Sequence, residues 1–574
     1  MKTLIIGGVA GGASCAARLR RLDEGAEIVI LERGEYISYA NCGLPYHVSG
    51  IIDEREELLL QTPGGMKRRY NIDVRIKSEV LAINRDRKTV SVKKLDTGEV
   101  YEESYDKLVI STGSSPLRPK IPGIDSPRIR TLWTVPDTDG IKKIVDEGKA
   151  RPGFSAAVIG GGFIGLEMAD NLSHAGLPVS IIELGNQVMP TLDYEMAQLL
   201  HKNITEHGVN LILGDGVAEF IGKGDSVDIK LHSGRVINAN LCVLAIGVRP
   251  NGDIAREAGL EMNPRGGIVV NDRMQTSDPD IYAVGDVVEV TDFVFGDKTM
   301  VPLAGPANKQ GRIAADNIAA SSDASVSAGG GDGSTGGSVY HGTQGSSVAK
   351  VFDLTAGSTG ANEKTLIRRG FVRGRDYESI TITQNSHAGY YPGALPMTIK
   401  LLFSADGKKI YGAQIVGGDG VDKRIDTIGV AMRLGAPVLA LKDLEFAYAP
   451  PYSSAKDPVN MAGFVAENLL AGRVSFAPWD ADRSMENLLL LDVREAAEVD
   501  AYAVPGALNI PLGKLRARLG ELDRSKNIVV LCAVGVRAYN ASRILSQNGF
   551  ENVYVYPGGA RFYRATHYKN EQNK

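Results

Sequence analysis

The 574-residue sequence predicts an α/β protein built from several domains. Its length exceeds what a single hydrophobic core usually holds. A pattern of strand, glycine turn and helix occurs twice, at residues 4–21 and 156–174, and the composition changes near residues 319 and 477. Because strands that alternate with helices favour parallel sheets, we expect two nucleotide-binding α/β domains followed by further, smaller ones.

Composition and charge exclude several classes of function. With 43% hydrophobic and 23% charged residues, the chain is typical of globular proteins. A net charge of −4, with no Lys/Arg run longer than three, gives no support for nucleic-acid binding. No apolar run approaches the roughly 18 residues of a membrane span, and the first apolar stretch breaks at Gly7, as in a buried strand rather than a signal peptide.

Cysteine usage indicates a reducing environment. The chain has four cysteines, and they are widely spaced without any Cys-x2-Cys pair. This pattern predicts neither a metal site nor a disulfide framework, so we expect a cytoplasmic protein without a bound metal. Cys15 lies in a predicted helix and Cys242 in a predicted strand, where both are expected to pack in the core.

The second glycine turn gives the stronger nucleotide signal. The letters GGGFIG at residues 160–165 complete a Gly-x-Gly-x-x-Gly pattern after an apolar stretch, and Glu183 ends the next predicted strand. Glycines are needed there so that backbone N–H groups at a helix N-terminus can approach a pyrophosphate. We therefore expect a dinucleotide at this turn.

The first glycine turn is a weaker match taken alone. In the letters GGVAGG at residues 7–12, Val9 stands where the middle glycine belongs, and the next predicted strand ends in Glu32. Two later segments strengthen the prediction. Thr112-Gly113 makes a tight turn after an apolar strand, and Asp286 follows another strand in a position suited to binding a hydroxyl group.

Cys42 lies in the sequence SYANCGLPY at residues 38–46, a few residues beyond the first nucleotide-binding pattern. A thiol in a loop that contains glycine and proline is poorly placed for core packing. No other cysteine lies within twenty residues, and Tyr46 stands four residues further on. A second redox sulfur or oxygen must therefore come from a bound small thiol or from oxidation of Cys42 itself.

The remaining segments divide into three parts. Residues 321–347 are rich in Gly, Ser, Ala and Asp and are expected to form a flexible surface loop. In residues 348–470 we expect an α+β domain, with strands at 379–382 and 398–403 and a helix at 422–434. Beyond residue 478, short buried strands at 488–491, 528–531 and 553–555 alternate with helical patterns and predict one small α/β domain.

Several motifs together resemble known families. Residues 1 to about 470 resemble the single-cysteine branch of the pyridine nucleotide-disulfide oxidoreductases, which includes coenzyme A-disulfide reductase. The motifs concerned are SxxNCG at 38–43, Thr112-Gly113, Gly285-Asp286, YYPG at 390–393 and YAPPY at 448–452. Residues from 478 onward resemble a rhodanese domain, with DVR at 492–494, VPGA at 504–507 (the usual histidine is missing) and CAVGVR at 532–537. The whole chain is similar to coenzyme A-disulfide reductase–rhodanese fusions, also described as NADH-dependent persulfide reductases.

The resemblance implies a domain order and a set of cofactors. It implies an FAD-binding domain at 1–112 and 278–320, an NAD(P)H-binding domain at 113–277, a dimerisation domain at 348–470 and a rhodanese domain at 478–574, in a homodimer. NADH is expected rather than NADPH, because the Glu183 carboxylate would repel a 2′-phosphate. The cofactor-binding residues are expected to be Gly7, Val9, Ala10, Gly12, Glu32, Arg33, Thr112, Gly113, Gly160, Gly162, Ile164, Gly165, Glu183, Gly247 and Asp286.

The resemblance also implies roles at sulfur. Cys42 would accept the electrons, and Tyr390 and Tyr448 would reach the partner subunit's thiol as proton donors. Cys532 would carry sulfane sulfur beside Arg537, whereas Asp492 and Arg494 are expected to hold loops together. The expected substrate-binding residues are Ser38 and Asn41 and, for the phosphates of coenzyme A, the cations Arg18, Arg21, Lys67 and Arg68; each of these cations could equally be a solvated surface charge.

The function implied is an FAD-dependent NADH reductase of coenzyme A persulfide, polysulfide and coenzyme A disulfide, which releases sulfide or coenzyme A. Its rhodanese domain would supply sulfane sulfur from small thiols and persulfides. Two alternatives remain open. The protein could be a plain coenzyme A-disulfide reductase with a rhodanese docking module, or an NADH oxidase or peroxidase that uses a Cys42 sulfenic acid. Ala10 argues against the second, because those relatives place an activating histidine in the first glycine turn.

Overall fold

A computed structural model of the chain describes residues 1–322 and 337–568. The chain forms two compact units. The first contains Met1–Val179 and Val217–Gly345, and the second contains Ser180–Gly216 and Ser346–Lys574.

A five-stranded parallel sheet forms the core of the first nucleotide-binding domain. Its strands are, in order across the sheet, Ile281–Ala283, Lys107–Ile110, Lys2–Ile6, Glu27–Leu31 and Asp73–Arg75. The four strands other than Asp73–Arg75 are short and mostly apolar and buried, as expected of a parallel sheet covered by helices. The strand ends bring the first glycine turn, Glu32, Thr112 and Asp286 to the same edge of the sheet, where α/β domains bind their ligands.

Two helices of this domain pack closely against each other. Helix Ala10–Leu22 follows the glycine turn, and helix Ala304–Ser322 lies against it. A Cβ atom on Gly311 would lie 2.3 Å from the carbonyl oxygen of Gly11, so only glycine allows this approach. The other helices of the first unit are Leu44–Ser49, Pro63–Tyr70, Val135–Gly148, Phe163–His174 and Asp253–Glu257.

The second nucleotide-binding domain repeats the parallel pattern. In the first unit, strand Leu241–Leu244 pairs in parallel with Ala156–Ile159 and with Ile129–Thr131. In the second unit, Val179–Glu183 pairs in parallel with Asn210–Leu213, and helix Tyr194–Glu206 connects them. The first unit also contains two antiparallel three-stranded sheets: Ser78–Asn84, Thr89–Lys94 and Val100–Ser104, and Val217–Gly222, Val227–Leu231 and Val236–Ala239.

The domain predicted as α+β contains a five-stranded antiparallel sheet. Its strands are, in order, Ser347–Val351, Leu354–Gly360, Ile410–Gly417, Pro396–Ser404 and Tyr377–Asn385. The helices are Glu363–Arg368, Val421–Arg433, Ala440–Asp443 and Pro458–Leu470. The two strands and the helix expected from periodicity are all present, and the strands extend beyond their predicted bounds.

A buried charge cluster joins this sheet to helix Tyr194–Glu206. The ammonium group of Lys400 forms ion pairs with Asp193 at 2.9 Å, with Glu363 at 2.5 Å and with Glu195. The three carboxylates lie close enough together to hold a metal ion. Lys400 lies within ion-pair distance of all three, so part of the negative charge of the cluster is compensated from within the chain.

The C-terminal domain is built on a four-stranded parallel sheet. Its strands are, in order, Leu508–Asn509, Leu488–Asp492, Asn527–Leu531 and Val553–Val555. Its helices are Ala481–Ser484, Ala496–Ala501, Leu512–Leu515, Val536–Gln547 and Gly559–Thr566. Gly558 forms two hydrogen bonds between this domain and the antiparallel sheet. Its N–H donates to Thr381 O at 3.0 Å, and its carbonyl accepts from Thr383 Oγ1 at 3.1 Å.

Both ends of the segment predicted as a flexible loop, residues 321–347, take part in neighbouring structure. Ser321 and Ser322 belong to the helix that ends at Ser322. Residues 337–347 are attached to the first nucleotide-binding domain: Ser338 Oγ donates to Asp316 at 2.7 Å, and the buried Tyr340 donates its N–H to Asp272 O at 2.7 Å. The predicted loop residues 323–336 lie outside the described residues. Within the described ranges, no helix is long and apolar enough to cross a membrane.

Candidate active site with two thiols and a tyrosine pair

Cys42 is the only exposed thiol of the four, and all four are free. It lies in a single 3-10 turn, Asn41–Gly43, which leads directly into helix Leu44–Ser49. The turn is closed by the Gly43 N–H, which donates to Ala40 O at 2.9 Å. Cys15 and Cys242 are buried, as expected, and burial raises the pKa of Cys15 to about 12 and that of Cys242 further.

A carboxylate faces the exposed thiol. Burial of its sulfur raises the pKa of Cys42, and the charge of Glu167 raises it further. Burial also raises the pKa of Glu167 itself to about 7, with a contribution from Asp170. Tyr46 belongs to the same group, because burial together with Glu167 and Asp170 raises its pKa to about 12. Protonation of Glu167 therefore makes the Cys42 thiolate easier to form.

A hydrogen-bonded link holds the thiol segment against helix Phe163–His174. Ser49 Oγ donates to Asn171 Oδ1 at 2.7 Å, and Asn171 Nδ2 donates to Glu167 O at 2.8 Å. The second sulfur of a Cys-x4-Cys motif would stand at position 47, one residue beyond Tyr46. That position holds His47, a buried ring whose Nδ1 lies 2.8 Å from Ile52 O. No redox partner for Cys42 is therefore present in this helix.

The first glycine turn has the shape required for a nucleotide. A Cβ atom on Gly12 would lie 2.0 Å from Gly7 O, so the turn and the helix can approach only with glycine at that position. Val9 is the N-cap of helix Ala10–Leu22 and makes no side-chain cap bond, so the first amides of the helix stay available to a phosphate. The Glu32 carboxylate accepts from Gly8 N at 2.9 Å and from Gly34 N at 2.7 Å, which holds it at the strand end. Arg33 beside it is exposed.

Thr112, Gly113 and Asp286 lie at the same edge of the sheet. Thr112 Oγ1 donates to Asn251 O at 2.7 Å, and Asn251 N donates to Gly113 O at 2.9 Å. Asp286 accepts from Ser114 Oγ at 2.7 Å, and burial raises its pKa. The groups at this edge fit a dinucleotide such as FAD, because the phosphate and hydroxyl sites of the fold come together there.

The second glycine turn keeps an open helix N-terminus. Gly162 is the N-cap of helix Phe163–His174, and a Cβ atom placed on it would meet no atom within 4 Å. At Gly165, by contrast, an added Cβ atom would lie 2.0 Å from Gly160 O, so a larger residue does not fit there. Ile164 is half-buried in the first turn of the helix, and Gly247 follows the strand Leu241–Leu244 with φ of 112°. In the second unit, the Glu183 carboxylate accepts from Gly185 N at 2.6 Å at the end of its strand.

The residues expected to bind substrate differ in their surroundings. Lys67 and Arg68 are exposed on helix Pro63–Tyr70, and Lys67 donates to the amide oxygen of Asn71 at 2.7 Å. Arg21 is exposed, whereas Arg18 forms an ion pair with Asp316 at 2.7 Å, so its charge is already compensated. Ser38 adopts a positive φ of 43°, and Asn41 is exposed beside the thiol.

The two expected tyrosines are brought together. The hydroxyls of Tyr390 and Tyr448 lie 2.7 Å apart in a hydrogen bond, although 58 residues separate them in the chain. Both rings are exposed, with 76% of Tyr390 and 45% of Tyr448 accessible in this single chain. The bond to Tyr390 raises the pKa of Tyr448. An exposed pair of phenols is suited to a role at a partner's surface.

The second thiol, Cys532, follows strand Asn527–Leu531 at the carboxyl edge of the C-terminal sheet. Its sulfur accepts a hydrogen bond from Gly535 N at 3.1 Å, and Gly535 has φ of 120° just before helix Val536–Gln547. The loop thus directs a backbone N–H and the start of a helix towards the sulfur, an arrangement that stabilises a sulfur anion.

Glu498 binds the guanidinium of Arg537, which lies in the first turn of the helix after this loop. No motif in the sequence indicates Glu498 as a site residue. The guanidinium donates to both carboxylate oxygens of Glu498, at 2.6 and 2.7 Å. Arg537 lowers the pKa of Glu498 to about 2, and Glu498 and the Cys532 thiol both raise the pKa of Arg537. As expected, Arg494 is structural: it pairs with Asp492 at 2.6 Å and donates to Tyr502 O at 2.8 Å.

Comparison with known proteins agrees with this arrangement. The pyridine nucleotide-disulphide oxidoreductase family matches residues 1–311, its dimerisation domain matches 346–458, and the rhodanese-like domain matches 479–565. The crystal structure of reduced Bacillus anthracis CoADR-RHD is 49% identical and superposes with a TM-score of 0.91 over 98% of both chains. The NAD-dependent persulfide reductase from A. fulgidus is 36% identical, with a TM-score of 0.90 over 99% of this chain and 100% of its own.

Curated relatives match most of the chain and all or nearly all of their own length. Coenzyme A disulfide reductase from Staphylococcus epidermidis is 34% identical over 466 residues, which are 81% of this chain and 100% of the relative. An NADH oxidase from Methanocaldococcus jannaschii is 36% identical over 466 residues, 80% of this chain and 98% of the relative. The predicted resemblance and fold class are confirmed, and the family implies FAD and NAD(P)H as cofactors. The chain belongs to the pyridine nucleotide-disulphide oxidoreductases, as a flavoprotein reductase with a dimerisation domain and a C-terminal rhodanese-like domain.

Proposed function

We propose that the protein is a homodimeric NADH-dependent reductase of coenzyme A persulfide, polysulfide and coenzyme A disulfide, whose rhodanese domain supplies sulfane sulfur. The observation that carries the proposal is the single exposed thiol, Cys42, with no second cysteine in its helix. A dithiol enzyme would store electrons in an internal disulfide. A lone thiol instead forms a mixed disulfide with its substrate.

The sulfur chemistry balances with one thiol. The Cys42 thiolate attacks the coenzyme A sulfur of a persulfide, so a Cys42–coenzyme A disulfide forms and hydrosulfide leaves. Two electrons and one proton then cleave this disulfide to the Cys42 thiolate and the coenzyme A thiol. When bound, FAD and NADH supply the electron pair. With coenzyme A disulfide as substrate, the first leaving group is coenzyme A itself.

Residues of this chain assist both steps. The hydroxyls of Tyr390 and Tyr448, bonded to each other at 2.7 Å, donate a proton to the leaving sulfur at the partner's thiol. Lys67 and Arg68, exposed on one short helix, attract the phosphates of coenzyme A. Glu183 selects NADH, because the next four residues supply no cation for a 2′-phosphate.

The rhodanese domain loads sulfane sulfur onto Cys532. Its thiolate takes the outer sulfur of a persulfide donor and forms a Cys532 persulfide, and the donor leaves as a thiol. The Gly535 N–H, already 3.1 Å from the sulfur, stabilises the anion. The apolar Ala533, Val534 and Val536 and the compensated charge of Arg537 favour a persulfide donor over doubly anionic thiosulfate.

The test is steady-state NADH oxidation with coenzyme A persulfide, polysulfide, coenzyme A disulfide, oxygen and peroxide at equal concentration. The ratios of kcat/KM rank these acceptors directly. The proposal expects the sulfur acceptors to exceed oxygen and peroxide. A preference for peroxide or oxygen would make Cys42 a sulfenic-acid residue. A third outcome is a preference for coenzyme A disulfide together with a C-terminal domain that shows no sulfurtransferase activity when isolated. The protein would then be a coenzyme A-disulfide reductase whose rhodanese domain is a docking module.

A further inference from the structure

A buried arginine of the dimerisation domain forms hydrogen bonds with both segments that carry the tyrosine pair, Tyr390 and Tyr448. Arg424 lies on helix Val421–Arg433 and is 1% exposed. Its Nη2 donates to Ser386 O at 2.9 Å, to Ser453 Oγ at 3.2 Å and to Asp457 Oδ2 at 2.8 Å. Ser386 precedes Tyr390 by four residues, and Ser453 follows Tyr448 by five. One guanidinium therefore contacts both segments.

The first segment is closed at Ser386. The Ser386 N–H donates to Leu395 O at 2.8 Å, and Leu395 N donates back to Ser386 Oγ at 3.1 Å. Tyr390 lies within the loop that these two bonds close. The position of Ser386 therefore sets where the loop begins and ends, and the Arg424 bond to Ser386 O fixes that position relative to helix Val421–Arg433.

The second segment is closed at Ser453. Ser453 N donates to Ala449 O at 3.2 Å, and Ser453 O accepts from Ala388 N at 3.0 Å, so the two segments also touch directly. Ser453 Oγ donates to Asp457 Oδ2 at 2.6 Å. Asp457 in turn caps helix Pro458–Leu470 through the Val459 N–H at 3.0 Å. The segment that carries Tyr448 is thus held at its end by groups that Arg424 also contacts.

Charge and burial make this group rigid. Arg424, Ser453 and Asp457 are each at most 2% exposed, and the arginine also donates to Gly420 O at 3.1 Å. Burial alone would raise the pKa of Asp457, but its hydrogen bonds with Arg424, Ser453 and Val459 lower it and so favour the charged carboxylate. A lysine could place its charge near Asp457, but its single nitrogen cannot bond Gly420 O and Ser386 O at once, as Nη1 and Nη2 of the Arg424 fork do.

We propose that Arg424 is a positioning residue for the reductase, because it holds the Tyr390 and Tyr448 segments in register so that the two hydroxyls meet. This inference rests on the proposed role of the tyrosine pair. Arg424 does not touch the reacting sulfur, and it acts only through the tyrosines. A 1 Å displacement of a proton donor can reduce turnover by on the order of 10²-fold, so we expect loss of the fork to lower turnover by between about 10- and 100-fold.

The test compares Arg424→Lys and Ser453→Ala in the full-length, FAD-loaded protein. Two rates are measured: reduction of the bound flavin by NADH in single turnover, and steady-state NADH oxidation with coenzyme A disulfide. Both variants are expected to reduce the flavin at the wild-type rate and with unchanged KM for NADH, while kcat with the disulfide falls. Ser453→Ala removes only one hydroxyl, so it decides the question if Arg424→Lys does not fold.

A matched control separates positioning from stability. Arg494→Lys alters another buried arginine, whose ion pair with Asp492 is 5% and 2% exposed, in the rhodanese domain. It is expected to lower the thermal midpoint without changing kcat for coenzyme A disulfide. If the Arg424 and Ser453 variants lose flavin reduction and disulfide turnover in parallel, or keep wild-type kcat, the inference is wrong.

A double-mutant cycle links Arg424 to the tyrosines. If Arg424 acts through Tyr448, then Arg424→Lys combined with Tyr448→Phe loses no more turnover than Tyr448→Phe alone. Additive losses would contradict the inference and leave the tyrosine role standing. If Tyr390→Phe and Tyr448→Phe both retain wild-type turnover, the proposed function of the tyrosine pair itself fails, whatever Arg424 does.

Discussion

The hydroxyl oxygens of Tyr390 and Tyr448 lie 2.7 Å apart and form a hydrogen bond with each other. Two exposed phenols that share one hydrogen bond can direct a single proton outward. In a homodimer, such a pair is suited to reach a thiol on the partner subunit.

Tyr448→Phe should lower disulfide turnover on the order of 10²-fold, the usual contribution of a general acid. The phenylalanine keeps the ring and removes only the hydroxyl, so FAD content and the dimer should be unchanged. Steady-state NADH oxidation measures the first effect, and absorbance with gel filtration measures the others. Tyr452→Phe, another exposed tyrosine of the same segment, is the matched control. Verified heterodimers of Tyr448→Phe with Cys42→Ser should regain part of the activity, and none would appear if the tyrosine acts within its own subunit.

Cys42→Ser should leave a yellow protein that binds FAD but does not turn over. The reason is that, in the proposed mechanism, Cys42 accepts electrons at the edge of the cofactor site, and none of the glycine-turn contacts depends on it. Visible absorbance and NADH oxidation with coenzyme A disulfide check both halves of the prediction. Cys15→Ser changes a buried thiol and serves as the control for loss of fold. Substantial turnover by the Cys42 variant would refute the mixed-disulfide chemistry.

Glu167→Gln should make the Cys42 thiol more acidic. The Glu167 carboxylate raises the pKa of Cys42, so a neutral amide removes that effect and the thiolate forms at lower pH. The rate of alkylation by iodoacetamide across pH, at fixed ionic strength, measures the shift. Asp170→Asn is the opposing variant: loss of the Asp170 charge lowers the pKa of Glu167 and keeps it ionised, so this variant should not make the Cys42 thiol more acidic. An alkylation profile that stays in place or moves to higher pH would contradict the electrostatic coupling.

The sequence predicts those parts of the site whose residues lie close together in the chain, and it does not predict contacts between distant residues. The glycine turns, the Cys42 loop and the Cys532 loop are local patterns, and each was located from a few adjacent letters. Glu167 and Cys42 are 125 positions apart, and Arg424 and Asp457 are 33 apart. Their contacts depend on how helices pack, which one sequence does not reveal. Glu498 lies six residues after Asp492 and could have been found only by knowing that Arg537 folds back onto it.

Both ends of the predicted loop, residues 321–347, take part in neighbouring structure for a similar reason. Composition alone marks residues 321–347 as unable to form a core, yet Tyr340 is buried against the first nucleotide-binding domain. A single aromatic residue in a polar stretch was enough to anchor part of it. Apolar periodicity predicts two of the five strands and one helix of the dimerisation domain, and three of the four strands of the C-terminal sheet, because these are the segments in which the pattern is strong.

NADH should have a higher kcat/KM than NADPH. Glu183 can accept a hydrogen bond from the ribose 2′-hydroxyl and repels a 2′-phosphate, and no cation stands in the following four residues. Glu183→Gln should lower the ratio of kcat/KM for NADH to kcat/KM for NADPH, because it removes the repulsion between the carboxylate and the 2′-phosphate. Glu206→Gln changes a surface carboxylate paired with Lys202 and should leave the preference unaltered. Wild-type protein that favours NADPH would overturn the assignment of Glu183.

Cys532→Ser should separate the two sulfur reactions. NADH oxidation with preformed coenzyme A persulfide should persist, since that substrate reacts at Cys42. Sulfide release from glutathione persulfide with catalytic coenzyme A should fall, because a serine hydroxyl cannot hold a persulfide. Cys242→Ser is the control for substitution of a buried cysteine. If both activities are lost, Cys532 lies in the electron path. If both are kept, the rhodanese domain serves only for docking.

The two backbone groups of Gly558 bond to Thr381 and Thr383, which are buried residues of the dimerisation sheet. The rhodanese-like domain therefore covers part of that sheet, and its removal would open Thr381 O and Thr383 Oγ1 to water. Unfolding of this domain is therefore expected to destabilise the dimerisation sheet as well. A substitution that weakens the C-terminal domain should lower the cellular abundance of the reductase as well, even where it leaves every reacting residue unchanged.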